Sequence, residues 1–203
     1  MSSMPDVSPV RPGRPRSATA SAEVMRTALE LALEGGIHHA TVERIVSVSG
    51  VAKSTIYRRW PNAVAIVMDA FLEAVGPSIA YDDELPVVAS FRRSVLALAE
   101  VLNGPHGRLL QYLLGAAQSD PVLSRAFVER WIGPRRQMGR QAIVGAVERG
   151  ELRPEIDPDL SMDLIYGAVY YRLSVSFSEI DQDFVEAVID RALGPYVRDR
   201  PDG

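Results

Sequence analysis

The sequence predicts an all-α protein of about nine to ten helices, with three helices near the N-terminus, two of them short, and a larger helical bundle after them. Three observations lead there. Apolar residues recur three and four apart in nearly every segment, and no stretch alternates as a half-buried strand does. Gly and Pro punctuate the chain at Gly35-Gly36, Gly76-Pro77, Gly104-Pro105, Gly133-Pro134 and Gly150, leaving segments of helical length between them. Two of the segments are very short and flank a glycine turn.

The elements follow in order. A first helix is expected over 18–34, with Val24, Ala28 and Leu31 on one face, ended by Gly35-Gly36. Thr41 stands at an N-cap, its hydroxyl able to accept from free N–H groups of the next turn. Val42, Ile45 and Val46 then mark a short helix stopped at Ser49-Gly50, because glycine enters the left-handed region without steric cost. A third helix is expected over 53–60, closed by Pro61, and a fourth over 62–76. Beyond Pro86 come helices to Asn103, from His106 to Gln118, and from the Asp120-Pro121 start. Gly133-Pro134 is expected to kink or break the helical stretch that ends near Arg149. Asp157-Pro158 opens a long apolar helix to Ser176, and a last helix spans 181–193.

Two short helices around a Gly-containing turn form a helix-turn-helix, whose second helix enters the DNA major groove by its N-terminal part. The side chains suit that task. Lys53, Ser54 and Thr55 offer donors at the leading end, Tyr57 a phenol for phosphate, and Arg58 a partner for phosphate or guanine. Thr41 and Arg44 on the supporting helix and Asn62 just after the pair complete the expected contact set. Ile56 and Trp60, four apart, are read as the anchor to the core. An amphipathic surface helix with solvated charges has the same composition.

Upstream, Arg11, Arg14 and Arg16 lie in a proline-stiffened stretch expected to be extended, with Arg14 and Arg16 suited to a narrow minor groove. Gly13-Arg14-Pro15 resembles the centre of an AT-hook, and a solubilising basic tail is the plainer reading.

Charge agrees with contact at one end. Residues 1–60 hold eight Lys or Arg against five Asp or Glu, and the remainder fourteen against twenty-one, so +3 and −7 make the net −4. There is no cysteine, which excludes disulfides and thiolate chemistry. No apolar run has the length of a membrane span and the N-terminus lacks a signal peptide's apolar core, so a cytoplasmic protein is expected. The three histidines, His38-His39 and His106, make a poor metal-ligand supply, and no phosphate loop or nucleophile motif is present. Neither enzyme activity nor a cofactor is expected.

Gly36, Thr41, Ile45, Gly50-Val51, Ser54-Thr55, Ile56-Tyr57 and Trp60 fall where the TetR family of one-component regulators has its N-terminal motif, and over most of its length the chain resembles that family. The segments 120–123, 133–136, 149–154, 157–160 and 164–173 resemble one C-terminal subgroup. Two positions depart from the pattern. Ala63 stands where the family often has a phosphate-clamping lysine, and Ser49 where it has alanine.

The resemblance implies a homodimer on a near-palindromic double-stranded operator, and a repressor released by a small hydrophobic or amphipathic effector. It places the dimer contact on the last two helices, through Leu160, Leu164, Ala168, Tyr171, Phe184, Val188 and Leu193. It places the effector in the bundle, where Phe91, Leu98, Tyr112, Leu113, Trp131, Tyr166 and Tyr170 are candidate lining residues and Arg93 or Gln111 candidate polar orienters. Plain core packing is the other reading of each. The expected organisation is a basic arm over 1–17, a DNA-binding domain over 18–63, a ligand-binding and dimerisation domain over 64–197 and a polar tail over 198–203. A helical dimer that binds ligand or protein without reading DNA is the alternative.

Overall fold

The computed structural model describes residues 16–76 and 80–198, and among them finds ten α-helices and no strand. The first, α1 (Arg16–Gly35), buries Val24, Ala28, Leu31 and Ala32. A 3-10 turn over Ile37–His39 leads to α2 (Val42–Ser49) and α3 (Lys53–Tyr57). Thr41 caps α2 as expected, its Oγ1 accepting from the Arg44 N–H at 3.3 Å. Gly50, at φ 68°, ends α2 in the left-handed region, where a side chain would be strained. The α-helix of α3 stops at Tyr57, three residues short of expectation, although the Trp60 N–H still reaches the Ile56 carbonyl at 3.0 Å.

Asn62 caps α4 (Ala63–Val75), its side-chain oxygen accepting from the Ala65 N–H at 2.9 Å. The α4 helix packs chiefly on α1 and also touches α6 (Pro105–Ala117), so it belongs to the N-terminal unit as much as to the body. In the body, α5 (Val87–Asn103) lies between α6 and α10 (Gln182–Leu193), and α8 (Gly133–Glu148) packs on α9 (Pro158–Val175). The core runs continuously from the N-terminal helices into this bundle through Phe71, Phe91, Leu98, Leu110, Trp131, Ile143, Ile165 and Ile189. Asp120, Asp157 and Asp181 cap α7 (Pro121–Phe127), α9 and α10 with their carboxylates.

At Gly133-Pro134, where a kink or a break is expected, the helical path is not broken, but a π-turn interrupts the α-helix just before it. Val128–Ile132 form a π-helical turn between α7 and α8, and Gly133 keeps helical dihedrals at φ −57° and ψ −53°. A π-turn shifts the hydrogen-bond ladder by one residue just ahead of Pro134, whose ring carries no N–H to lose, so the chain passes through without leaving helical geometry. Arg16 is the second difference. It is the first residue of α1 rather than part of an extended arm, and Arg14 lies outside the described residues.

Candidate nucleic-acid interface, cavity and apolar face

The α2–α3 pair presents one polar surface over one apolar anchor. Ile56 and Trp60 are buried, as their four-residue spacing predicts. Lys53, Ser54, Tyr57 and Arg58 are exposed, Thr55 is half-buried, and Thr41 and Arg44 flank them in solvent. Tyr57 is 49 % exposed, which leaves its phenol at the surface. Lys53 is not idle: its Nζ lies 2.6 Å from Glu43 Oε1 and 5.8 Å from the centre of the Tyr57 ring. The hydrogen bond and the charge of each partner lower the Glu43 pKa and raise that of Lys53. Asn62 spends its side-chain oxygen on the α4 cap, so only its NH2 group remains for a phosphate.

The anchor connects onward. The Trp60 indole N–H donates to Asp69 Oδ2 at 2.9 Å, and the other oxygen of Asp69 accepts from Arg130 in the π-turn. Tyr112 also serves this junction. Its ring meets His38 edge-on with centroids 5.4 Å apart, which joins α6 to the N-terminal unit.

The candidate pocket residues divide. Phe91, Leu98 and Leu113 are fully buried packing residues, which is the plainer reading of each. Tyr112 is at the surface rather than in the bundle. Arg93 turns outward to Asp82 at 2.6 Å, since a long charged side chain on the outer face of α5 finds water and a carboxylate there. Gln111 donates its amide to the Leu173 carbonyl and to Ser176 Oγ, closing the end of α9. Tyr166 and Tyr170 do line a cavity of about 330 Å³, together with Ile132, Arg135, Arg136 and Met162, between the start of α8 and α9. Trp131 stands behind it, fully buried, its indole N–H on Tyr170 Oη. A larger hollow of about 810 Å³ lies at the surface between the start of α5 and the Gly150 turn, away from these aromatics.

Arg135 escaped the sequence reading, although a signal was present: it follows Trp131 by four residues and so shares the face of a buried indole. It is only 9 % exposed, and its guanidinium carbon lies 3.5 Å from the centre of the Trp131 ring.

On α9, Leu160, Leu164 and Tyr171 are 53 %, 52 % and 61 % exposed, and Val175 and Phe177 extend the same apolar strip. Ala168, Phe184 and Val188 are half-buried beside it. Leu193 is a correction, because it is fully buried within the protomer and has no surface left to offer a partner.

Residues 24–67 match the model of the bacterial regulatory proteins, tetR family, and residues 83–192 match the tetracyclin repressor-like C-terminal domain. The chain belongs to the TetR family. It is 32 % identical over 181 residues to YdeS of Bacillus subtilis strain 168, described only as an uncharacterized HTH-type transcriptional regulator, covering 89 % of this chain and 91 % of that one. It is 25 % identical over 187 residues to the DNA-binding transcriptional repressor TetR of Mycobacteroides abscessus, covering 90 % and 96 %. The crystal structure of the TetR family transcription regulator SCO0332 superposes with a TM-score of 0.76 at 34 % identity, covering 88 % of this chain and 99 % of that one. This TetR-family protein is therefore a DNA-binding transcriptional regulator with the family's all-α fold. No described helix is long and apolar enough to cross a membrane.

Proposed function

We propose that this regulator is a cytoplasmic homodimeric repressor that reads a near-palindromic operator with two α2–α3 units and is released by a small hydrophobic or amphipathic effector. The observation that carries the reading is the division of α3: Ile56 and Trp60 fix it to the core while Lys53, Ser54, Tyr57 and Arg58 stay at the surface. Such a helix can enter a major groove with its backbone and core anchor in place, once Lys53 turns from Glu43. The open apolar strip of α9 supports the dimer, because strips of this kind mark protein contacts and a two-fold axis makes each residue count twice. Two heads on one axis match half-sites roughly 34–36 Å apart. Effector release needs a ligand that prefers the arrangement in which the heads no longer fit. Asp69, held between Trp60 and Arg130, is a physical route between the bundle and the reading helix.

Fluorescence anisotropy on a labelled fragment of the upstream intergenic DNA, with excess random DNA as competitor, tests the reading. Saturable binding that survives competition and weakens steeply with salt is the expected result. Binding equal to that of the competitor, on this and neighbouring intergenic fragments, would leave a helical dimer that does not read DNA.

A further inference from the structure

The cavity between α8 and α9 contains a charge without a counter-charge. Arg135 makes one hydrogen bond among the described residues, from a terminal nitrogen to the Trp131 carbonyl at 3.0 Å, and its Nε is buried with no partner. No carboxylate among the described residues pairs with it. Its neighbour Arg136, which also lines the cavity, is by contrast committed to Asp159 and Asp163. The groups facing Arg135 are phenols. Tyr81 and Tyr166 share a hydrogen bond of 2.6 Å between their oxygens, and Tyr170 accepts from Trp131. Gly139 lets this cluster close, since a Cβ there would stand 2.8 Å from Tyr81 Oη and 2.5 Å from Met162 Sδ. Burial lowers the Arg135 pKa and the neighbouring phenols only partly oppose it, the behaviour of a guanidinium short of compensating charge.

Leaving an ion buried and unpaired is costly, so an anion that pairs with it in the cavity gains what the protein leaves unsatisfied. The face of Trp131 offsets part of that cost but satisfies none of the in-plane N–H donors. A planar carboxylate is the anion that a guanidinium fork fits with two parallel bonds. One uncommitted cation balances one negative charge, and Asp163 at the cavity wall opposes a dianion such as a phosphate monoester. The remaining wall is apolar or aromatic: Ile132, Met162, Tyr166 and Tyr170.

We propose that this cavity binds a small organic monoacid, its carboxylate on the Arg135 guanidinium and its apolar body against Ile132, Met162, Tyr166 and Tyr170. The phenols of Tyr166 and Tyr170 supply further donors to the same carboxylate. The acid's role as effector rests on the ligand-responsive repressor reading above, whereas its binding does not.

Isothermal titration calorimetry on the full-length protein without DNA tests the site. The probes are benzoate, 2-naphthoate and octanoate, each set against its neutral primary amide. At least one acid is expected to bind about tenfold or more tightly than its amide, a gap set by one charge-assisted bidentate contact. Arg135→Met should erase that preference while leaving the amide's affinity in place, and Arg135→Lys should keep part of it. A guanidinium serving only as packing against Trp131 gives no acid preference in the unsubstituted protein, so the comparison stands even where Arg135→Met folds poorly. Equal binding of acid and amide, a preference that survives Arg135→Met, or no binding by any acid would each overturn the proposal. Loss of the acid preference counts against the cavity alone, and failure of operator binding in the anisotropy assay counts against the repressor alone.

Discussion

Trp60 and Asp69 are joined by a 2.9 Å hydrogen bond from indole nitrogen to carboxylate, and this bond ties the chain just after α3 to α4. Asp69 is mostly shielded from solvent and also holds Arg130. Asp69→Ala therefore strands a buried indole N–H and releases a cation. The expected loss of stability is about 1–3 kcal/mol, the usual cost of leaving a buried donor unsatisfied. A shifted midpoint in urea unfolding checks it. Asp69→Asn keeps an acceptor for Trp60 and weakens only the Arg130 arm, so it should unfold closer to the parent. An unshifted midpoint for Asp69→Ala would mean that water replaces the bond.

In the proposed DNA complex the Lys53–Glu43 pair sets a cost on binding. Lys53 must leave a carboxylate 2.6 Å away before it can neutralise a phosphate, and Glu43 itself repels the backbone. Glu43→Gln removes both obstacles. Operator and random DNA should both bind more tightly, because a phosphate contact carries no sequence information. Lys53→Ala should reduce the slope of log affinity against log salt by about one unit. Anisotropy across a salt series reads both variants, and an unchanged slope in Lys53→Ala takes Lys53 out of the contact set.

Tyr57 separates binding from folding. Its ring is half-exposed and its hydroxyl has no partner among the described residues, so Tyr57→Phe should leave thermal stability within about 0.5 kcal/mol. A lost phosphate hydrogen bond should weaken operator binding by about 1 kcal/mol, roughly fivefold. Unfolding of this variant would show that the orientation of α3 is wrong.

What the sequence could and could not convey divides along physical lines. Capping is local chemistry, so Thr41, Asp120 and Asp157 announced their helices correctly. The spacing of Ile56 and Trp60 announced the buried face of α3 in the same way. Gly133-Pro134 marked an irregularity but not its form, because a π-turn is one of several answers to a missing N–H and the local sequence does not choose among them. The cavity was only half legible. Tyr166 and Tyr170 lie on an apolar helix and were found, whereas Arg93 and Arg135 are alike in sequence and differ in which face meets solvent. Asp69 was invisible for the same reason: a carboxylate on α4 gives no sign that its partners lie 9 residues before it and 61 after it.

The phenols of the cavity give a pH prediction. Burial holds Tyr81 and Tyr166 well above the usual phenol range and raises Tyr170 to about 12. In the unfolded chain all three ionise near about 10. Above that pH the unfolded state loses protons that the native state keeps, so stability falls as pH rises. The contribution is fully present below about pH 10 and is lost as pH climbs through about 10 toward the native value of Tyr170 near 12. Tyrosinate absorbance of the native protein should therefore lack the contribution of Tyr81, Tyr166 and Tyr170 at pH about 10.5, and it should appear together with unfolding. Ionisation of these three at pH about 10 without loss of helical circular dichroism would show that the cavity phenols are open to water.

Leu164 and Leu193 distinguish the outer face of the bundle from its core. Leu164 lies on the open strip of α9, half-exposed in the protomer, and Leu193 on α10 is fully buried. In a two-fold dimer, Leu164→Glu places a charge in the contact twice, and both carboxylates must lose water for the interface to close. The dimer should weaken at least about tenfold, with the protomer still folded. Leu193→Ala should act on the fold instead, costing about 2–5 kcal/mol of folding stability through lost contacts and a cavity. Sedimentation velocity reads the first effect and urea unfolding the second. On the proposed two-half-site operator, Leu164→Glu should also lose affinity while its α2–α3 unit is unchanged. A Leu164→Glu protein that sediments as a dimer would move the contact off this strip.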